Sequence, residues 1–287
     1  QITLASGALL TLDADGSFTY DPNGQFDTLP PGEIALDSFT YEITDSGGLT
    51  DTALVSILIS GVNDSSTAIS TATLPSVPED TEEPDGDTVA SLFGPVFSDV
   101  DESQLIGGIA IISDTSISNE GLWQYSTDEG ANWFDVGTVS STLGLLLDAD
   151  TYIRFKPGAN YSDTPGSLIV HVIDSSNSLT FTDGDTKTTF NTTTDDDTTS
   201  PVSKDSTALT TTVSPVNDAP VAENDLIFTN EDSIINGDVT VDNGYGEDND
   251  IDGSFTITQV NGVAADIGTQ ITLASGALLT LDADGSF

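Results

Sequence analysis

One 18-residue sequence occurs twice in this chain of 287 residues. Residues 1–18 and residues 270–287 both read QITLASGALLTLDADGSF. An identical repeat of this kind indicates serial units that pack on their neighbours and can be copied many times. We therefore interpret the chain as one period of a longer repeating polypeptide, cut within a repeat at both ends.

The charge of the chain is strongly one-sided, with 48 acidic residues against 4 basic ones and a formal net charge of −44. All four basic residues lie between positions 154 and 204, so residues 1–64 and 219–287 contain no Lys or Arg. Two carboxylates about 4 Å apart repel by roughly 4 kcal/mol at an effective dielectric constant near 20. Clustered carboxylates must therefore stay apart in solvent or hold a cation. This charge argues against nucleic acids and anionic membranes as partners.

The pattern of apolar residues predicts a folded, all-β chain. Apolar residues make up 36% of the sequence, and they alternate with polar residues at the period of a strand. No amphipathic helical stretch is longer than a turn or two. Short strands with turn residues between them are typical of β-sandwiches. The strongest predicted strands are 8–12, 17–20, 38–44, 51–60, 151–155, 205–214 and 254–260.

Two Val-Asn-Asp tripeptides, at 62–64 and 216–218, each follow an alternating strand and mark predicted domain boundaries. They divide the chain into the rear part of one domain (1–64), a complete domain (65–218) and the front part of another (219–287). The complete domain carries two insertions, around 121–135 and 180–204. The second has few apolar residues, and we predict a long exposed loop there, including the triple Asp at 195–197.

The two flanking segments resemble a known repeat. Residues 219–287, with NEDS at 230–233 and DIDG at 250–253, are similar to the front of a VCBS-type bacterial cadherin-like repeat. Residues 10–64, with DGSFTYDPNG at 15–24, are similar to its rear half, and the complete domain resembles the superfamily more loosely.

The resemblance implies tandem Ig/cadherin-like β-sandwiches of the kind found in giant surface adhesins and filaments. It also implies an extracellular location on a bacterial cell surface or appendage, and Ca²⁺ near the junctions between domains. The Gly-rich nonapeptides that often accompany this family are absent from the chain.

The acidic residues around the boundaries are the strongest candidates for metal ligands. Ca²⁺ takes about six to eight oxygen ligands from carboxylates, amides and backbone carbonyls. Each Val-Asn-Asp offers an amide and a carboxylate at a hinge, and the following domain adds an early acidic pair and a later acidic loop. We expect these groups to converge at one pole of each sandwich, although a solvated acidic surface is the alternative. The predicted ligands are Asn63, Asp64, Glu79, Asp80, Asp99, Asp101, Asn217, Asp218, Glu231, Asp232, Asp248, Asp250 and Asp252, with Glu102 in the same loop as Asp101.

Two further Asp-x-Asp pairs, Asp13 with Asp15 and Asp148 with Asp150, are interpreted as turns, because Asp and Gly tolerate the backbone angles of a hairpin turn. His171 is the only histidine. A His-paired triad or a two-His zinc site within this chain is thereby excluded, and His171 is predicted to be structural. The absence of Cys excludes disulfides, thiol catalysis and thiolate metal sites.

Three aromatic residues, Trp123, Tyr125 and Trp133, flank a predicted hairpin around 128–132. Cross-strand packing is the favoured interpretation, and an aromatic platform for sugars is the alternative. With 48 acidic residues a glycosidase pair is conceivable, but no motif selects one.

The sequence thus predicts a non-enzymatic extender segment, stiffened by Ca²⁺, with a carbohydrate-binding module as the alternative. Its partners are predicted to be neighbouring repeats or identical subunits, with any glycan or surface ligand bound elsewhere in the full protein and no insertion into a membrane. Residues 219–287 are predicted to need a rear half to complete their core, and residues 1–64 of a neighbouring copy could provide it by strand complementation.

Overall fold

The computed structural model describes residues 1–101, 103–194 and 198–287, so Glu102 and the triple Asp at 195–197 lie outside the described residues. By contacts the chain forms two units, residues 1–215 and residues 216–287. The regular structure of the described residues is almost entirely β-strand, and the predicted all-β class is confirmed. Short helical turns occur at Val89–Phe93 (α1, an α-helix) and, as 3₁₀ turns, at Gly94–Val96, Thr192–Thr194 and Ala264–Asp266.

The beginning of the first unit consists of a three-stranded meander and a long hairpin. Three of its strands match the predicted positions closely, because apolar and polar residues alternate there along the chain. The two hairpin strands pair in antiparallel register along their whole length, from Ile34 opposite Ser60 to Thr44 opposite Thr50. The strands are β1 (Ile2–Thr3), β2 (Leu9–Leu12), β3 (Phe18–Asp21), β4 (Ile34–Thr44) and β5 (Thr50–Ser60).

A buried carboxylate ties the meander to the hairpin. Asp37, on β4, accepts hydrogen bonds from the Ser6 hydroxyl at 2.6 Å, the Tyr20 hydroxyl at 2.8 Å and the Ser38 amide at 2.8 Å. The bond from Ser6 is the main reason that the pKa of Asp37 is lowered, even though burial opposes this. Burial, and then the bond to Asp37, raise the pKa of Tyr20 to about 12.

These shifts predict how the network depends on pH. The raised pKa of Tyr20 means that its contribution to stability is fully present below pH 10 and is lost as the pH rises through about 12. The lowered pKa of Asp37 means that its contribution is present above pH 3.8 and is lost as the pH falls through the folded-state value. In an absorbance titration by rapid pH jump, one tyrosine equivalent should titrate near pH 12 because of Tyr20, and Tyr20→Phe should remove that equivalent. Asp37→Asn should move the titration of that equivalent downward, and an unmoved titration would contradict the network.

The middle of the chain forms the largest part of the first unit. One sheet of six strands has the order β17-β14-β11-β16-β18-β7, and a sheet of four strands has the order β13-β12-β15-β9. Two short two-stranded pairs, β10 with β6 and β19 with β8, lie beside them. The strands are β6 (Thr67–Ala68), β7 (Ala72–Thr73), β8 (Val77–Pro78), β9 (Asp87–Thr88), β10 (Phe97–Ser98), β11 (Ile106–Asp114), β12 (Gly121–Ser126), β13 (Phe134–Asp135), β14 (Gly144–Asp148), β15 (Tyr152–Pro157), β16 (Leu168–Asp174), β17 (Thr189–Phe190), β18 (Thr207–Thr210) and β19 (Val213–Ser214).

These two sheets pack face to face as a β-sandwich. Alternate residues of the six-stranded sheet share one buried cluster with residues of the four-stranded sheet and of α1. The period of two residues along each strand explains this arrangement, because every second side chain points to the same face. The principal members of the cluster are Ile109, Ile111, Leu145, Leu147, Leu168, Val170, Val172, Trp123, Tyr125, Ile153, Phe155, Val89 and Phe93.

The insertion at 180–204 is not simply an exposed loop, and that prediction is wrong for the residues of the insertion that pack on the sandwich. The outer face of the six-stranded sheet carries Ala110, Leu146 and Ile173, which form a second buried cluster with Val202. Phe181 and Phe190 pack against the same cluster. The insertion therefore covers an apolar face that the sandwich would otherwise expose.

The second unit, residues 216–287, has little regular structure. Its two short strands, β20 (Ile271–Thr272) and β21 (Leu278–Leu279), form an antiparallel pair. The predicted strand at 254–260 is wrong. Within it only Val260 makes a bridge, to Val263, and the Ile257 amide donates one isolated hydrogen bond to the Ala283 carbonyl.

Candidate metal centre

The first Val-Asn-Asp linker lies against an acidic loop of the middle sandwich. The backbone amide of Asp64 donates to Asp101 Oδ2 at 2.9 Å. The amide of Asp101 in turn donates to Asp99 Oδ1 at 2.9 Å, which fixes the loop in a tight Asx turn. The structure thus brings together three of the predicted ligands, one from the linker and two from the loop that follows β10.

Asn63 connects the linker to the end of strand β16. Its Nδ2 donates to Asp174 Oδ2 at 3.2 Å, and its Oδ1 accepts from the Ser176 hydroxyl. Asp174 is fully buried and was missed as a candidate ligand by the sequence analysis. The available signal was its place as the last residue of a strongly alternating strand, which ends at the same pole as the acidic loop.

The carboxylates of this cluster are buried and lie close enough together to raise one another's pKa values. Burial raises the pKa of Asp99, and the charges that add to the rise are the carboxylates of Asp174, Asp101 and Asp64. Burial likewise raises the pKa of Asp174, with a smaller contribution from Asp101. The pKa of Asp64 is raised by burial and then by Asp101 and Asp27. The cluster therefore resists holding all of its negative charges without a counter-ion.

Two buried oxygens of the cluster, Asp99 Oδ2 and Asp101 Oδ1, have no hydrogen-bond partner among the described residues. The Asp101 side chain is only 3% exposed. A buried polar atom without a partner costs about 1–3 kcal/mol, and a charged one costs more. Hard oxygen atoms of this kind are the ligands that Ca²⁺ prefers, so the residues present fit such an ion.

The same arrangement recurs within the second unit. The amide of Asp218 donates to Asp252 Oδ2, and the amide of Asp252 donates to Asp250 Oδ1 at 3.0 Å. Asn217 Nδ2 donates to the Asp218 carbonyl at 2.9 Å, just as Asn63 Nδ2 donates to the Asp64 carbonyl at 3.0 Å. The two linkers are followed by different sequences. In each case, however, an Asp amide of the linker donates to the second carboxylate of an Asp-x-Asp loop.

Comparison with known proteins agrees with the sandwich architecture. Residues 1–58 match the family model of the bacterial Ig domain. The first segment is thus similar to a bacterial Ig-like repeat. The predicted all-β, Ig-like class is confirmed, whereas the match does not distinguish a VCBS-type or cadherin-like repeat from other Ig-like repeats. No curated protein matches the chain. Among the described residues, no helix has both the length and the apolar character needed to cross a membrane.

The remaining predicted ligands do not lie with the linker clusters. The amide of Glu79 pairs with the Ser214 carbonyl. β18 pairs with the start of β16, and Ser214 lies beyond β18 in the direction away from Asp174. Asp80 Oδ1 accepts from the Asn160 amide at 3.3 Å. Glu79 and Asp80, the early acidic pair of the middle sandwich, therefore lie at the end of that sandwich opposite to Asp99 and Asp101.

The corresponding residues of the second unit are also placed separately. Glu231 and Asp232 lie in an exposed turn closed by a hydrogen bond from the Ser233 amide to the Asn230 carbonyl. Asp248 Oδ1 accepts from the Glu223 amide at 2.7 Å. Within the parts of the chain that the structure describes, no group of three or more Asp, Glu or His side chains could hold a metal ion as it stands. A bound cation would need amide or backbone oxygens as well.

The other candidate residues are accounted for by local structure. Asp15 Oδ1 accepts from the amide and hydroxyl of Ser17, and Asp148 Oδ1 accepts from the Asp150 amide, as turns require. His171 Nδ1 lies 2.7 Å from the Ser203 carbonyl oxygen, between β16 and the covering insertion.

The aromatic residues at 121–135 do form the predicted hairpin, with Tyr125 opposite Phe134. Trp123 is 1% exposed and Tyr125 is fully buried, so neither offers a face to a sugar. Trp133 stacks on the Arg154 guanidinium, which lies 4.1 Å from the centroid of its ring. The packing interpretation is confirmed for Trp123 and Tyr125.

Proposed function

We propose that this chain is a structural segment of a long extracellular bacterial protein, in which Ca²⁺ bound at the Val-Asn-Asp linkers stiffens the junctions between serial Ig-like domains. The observation that carries the proposal is the repeated linker geometry. In both units an Asp amide of the linker donates to the second carboxylate of an Asp-x-Asp loop. A solvated acidic surface has no reason to repeat this arrangement after each linker.

In the first junction Asp99 and Asp101 would hold the ion together with amide or backbone oxygens such as the amide oxygen of Asn63, because the described carboxylates alone do not form a site as they stand. The two carboxylate oxygens without partners, Asp99 Oδ2 and Asp101 Oδ1, are available without breaking any hydrogen bond. The bound ion supplies positive charge, which offsets the mutual repulsion of the carboxylates.

The mechanical consequence follows from where these residues lie in the chain. Asp64 belongs to the linker, Asp99 and Asp101 to a loop of the next sandwich, and the Asp27 carboxylate of the preceding segment is close enough to raise the pKa of Asp64. An ion held among them restricts rotation about the linker. Serial rigid joints keep a chain extended, which suits a module that holds an adhesive or assembling domain away from a cell surface.

The family match supports a surface repeat rather than an enzyme, since residues 1–58 match a bacterial Ig domain. The burial of Trp123 and Tyr125 removes the main support for a carbohydrate-binding module. The proposed location is the outside of a bacterial cell or a surface appendage.

Ca²⁺ should stabilise the chain, and EDTA should reverse this effect. A single site that binds only the folded state adds about 2.7 kcal/mol when free Ca²⁺ is about 100 times its Kd. Asp99→Asn keeps the oxygen that accepts from the Asp101 amide but removes the charge, so most of the Ca²⁺ response should be lost. In EDTA this variant should melt no lower than the natural chain. The measurements are calorimetric melting and the maximum dimension from small-angle X-ray scattering.

Asp114→Asn is the matched control for this experiment. Asp114 Oδ1 accepts from the Ser116 amide at 2.9 Å in the same kind of Asx turn, but Asp114 lies opposite Leu168, at the other end of β16 from Asp174. Its substitution should leave the Ca²⁺ response unchanged. The metal-stiffened joint is ruled out if melting and scattering of the natural chain are the same in Ca²⁺ and EDTA, or if the two variants respond alike.

A further inference from the structure

The two copies of the 18-residue sequence adopt similar local structure but differ in burial. In the first copy Ala8 is fully buried and Leu10 is 1% exposed. At the matching positions of the second copy Ala277 is exposed and Leu279 is half-buried. Both copies form the same pairing of short strands, with Ile2 opposite Leu10 and Ile271 opposite Leu279. The difference therefore comes from what covers the copies and not from their own sequence.

The first copy is covered by the residues that follow it, 19–60. Strand β3 pairs with β2, with Thr19 opposite Thr11. The ring of Phe18 packs edge-on against Phe39 of β4, with a centroid distance of 5.5 Å. The hydroxyl of Ser6 donates to Asp37 of the same strand. Residues 19–60 are therefore a surface complementary to this 18-residue sequence, wherever that sequence occurs.

The hairpin β4–β5 also has a second face, which the described residues leave exposed. The register places Leu36 opposite Leu58, and Ile34 and Leu54 lie on the same face as this pair. These four side chains are 61% to 69% exposed. Strands that are apolar on both faces are typical of strands buried between two layers. The exposure of these four side chains shows that no described residue forms a layer over this face.

The second unit has exposed apolar residues of its own. Phe228 is 80% exposed and Ile234 is 93% exposed. Large apolar side chains with this much exposure are candidates for contact with a partner.

We propose that the partner for both surfaces is a second copy of this chain. Residues 270–287 of one copy replace residues 1–18 of the next, so that residues 216–287 of the first and 19–64 of the second together form one sandwich. The exchanged sequence is identical, and the contacts of the displaced residues are therefore made again. The net gain is the burial of the exposed face of β4–β5, which carries Ile34, Leu36, Leu54 and Leu58, and of the exposed apolar residues of the second unit. Exchange of an identical element is a low-cost route to association, and this head-to-tail form builds linear chains.

The first test measures the association of the full chain by sedimentation velocity at several protein concentrations. The measurement is made in EDTA, so that the result does not depend on Ca²⁺. We expect the natural chain to form species larger than a monomer. Leu36→Glu and Leu58→Glu should weaken this association by roughly tenfold or more each. Because both side chains are exposed, neither variant should change the melting of the middle sandwich.

Leu105→Glu is the matched control, since Leu105 is 70% exposed against 69% for Leu58 but lies in the middle sandwich. It should leave association unchanged. A chain that stays monomeric at all concentrations overturns the proposal. So does association that Leu36→Glu and Leu58→Glu leave intact, or that Leu105→Glu weakens equally.

The second test examines the register of the exchange and uses the absence of Cys from the chain. Thr280 is the counterpart of Thr11, which pairs with Thr19. The double variant Thr19→Cys with Thr280→Cys should therefore form a ladder of disulfide-linked chains under mild oxidation. Thr19→Cys with Thr229→Cys, whose second site is exposed and outside the repeated sequence, should form no ladder. The absence of a ladder in the first variant, or equal ladders in both, overturns the proposed register.

Discussion

Trp123→Ala will destabilise the middle sandwich by about 3–5 kcal/mol, the range for truncation of a large buried aromatic residue. Trp123 is 1% exposed and packs edge-on against Phe155, with a centroid distance of 5.1 Å. Its Nε1 donates to the Gly166 carbonyl at 2.8 Å. The substitution therefore leaves a cavity between the two sheets and a carbonyl oxygen without its donor.

The loss is measurable by urea unfolding, with Trp133 as the remaining fluorescent reporter. Leu122→Ala is the control, because Leu122 is the preceding residue on β12 and is 45% exposed. Its cost should stay below about 1 kcal/mol. A loss below about 1 kcal/mol for Trp123→Ala would show that the two sheets do not pack around this ring. Any binding of glycans by the full protein should not depend specifically on Trp123.

The strands of the first unit were predictable because they alternate and find partners close by. The run at 51–60 becomes β5, since β4 precedes it by a short turn and pairs with it residue by residue. The run at 254–260 has a similar pattern but forms no strand. Alternation shows which face of a strand can be buried, whereas a stable strand also needs neighbours. Among the described residues of the second unit, this run has only the hydrogen bond of Ile257 to Ala283 and the local bridge of Val260 to Val263.

The insertion at 180–204 shows the limit of an argument from composition. Its few apolar residues predicted a loop, yet Val202 is 4% exposed and Phe190 packs on the sandwich. The cause lies elsewhere in the sequence. β14 is apolar at three successive positions, Leu145 to Leu147, so one of them must face outward. A strand of this kind needs cover on both faces, and the insertion supplies the second cover.

The candidate site was predictable in part for a similar reason. The link from Asp64 to Asp101 follows from a linker that precedes a sandwich and a loop at the same pole. Glu79 follows soon after Asp64 in the sequence, but the chain between them runs along the sandwich, and the Glu79 amide pairs with the Ser214 carbonyl at the opposite end. Asp174 is brought to the pole by β16, which sequence spacing alone does not show. Whether these groups hold Ca²⁺ stays a prediction.

Leu10→Ala and Leu279→Ala provide the second large expected effect, because they change the same residue of one sequence in two surroundings. Leu10 is 1% exposed, and its truncation should cost about 2–5 kcal/mol in the stability of residues 1–64. Leu279 is half-buried, and in the monomer its truncation should cost less than about 1 kcal/mol. Hydrogen exchange followed by mass spectrometry reports on the two segments separately.

The effects of Leu10→Ala and Leu279→Ala also test the proposed assembly. At concentrations where copies associate, Leu279 takes the place of Leu10 beneath residues 19–60 of the next chain. Its truncation should then cost as much as that of Leu10, and the cost should appear as weaker association. Equal effects of the two variants in the dilute monomer would contradict the difference in burial. A small effect of Leu279→Ala at every concentration would instead show that the second copy never enters the site that the first copy occupies.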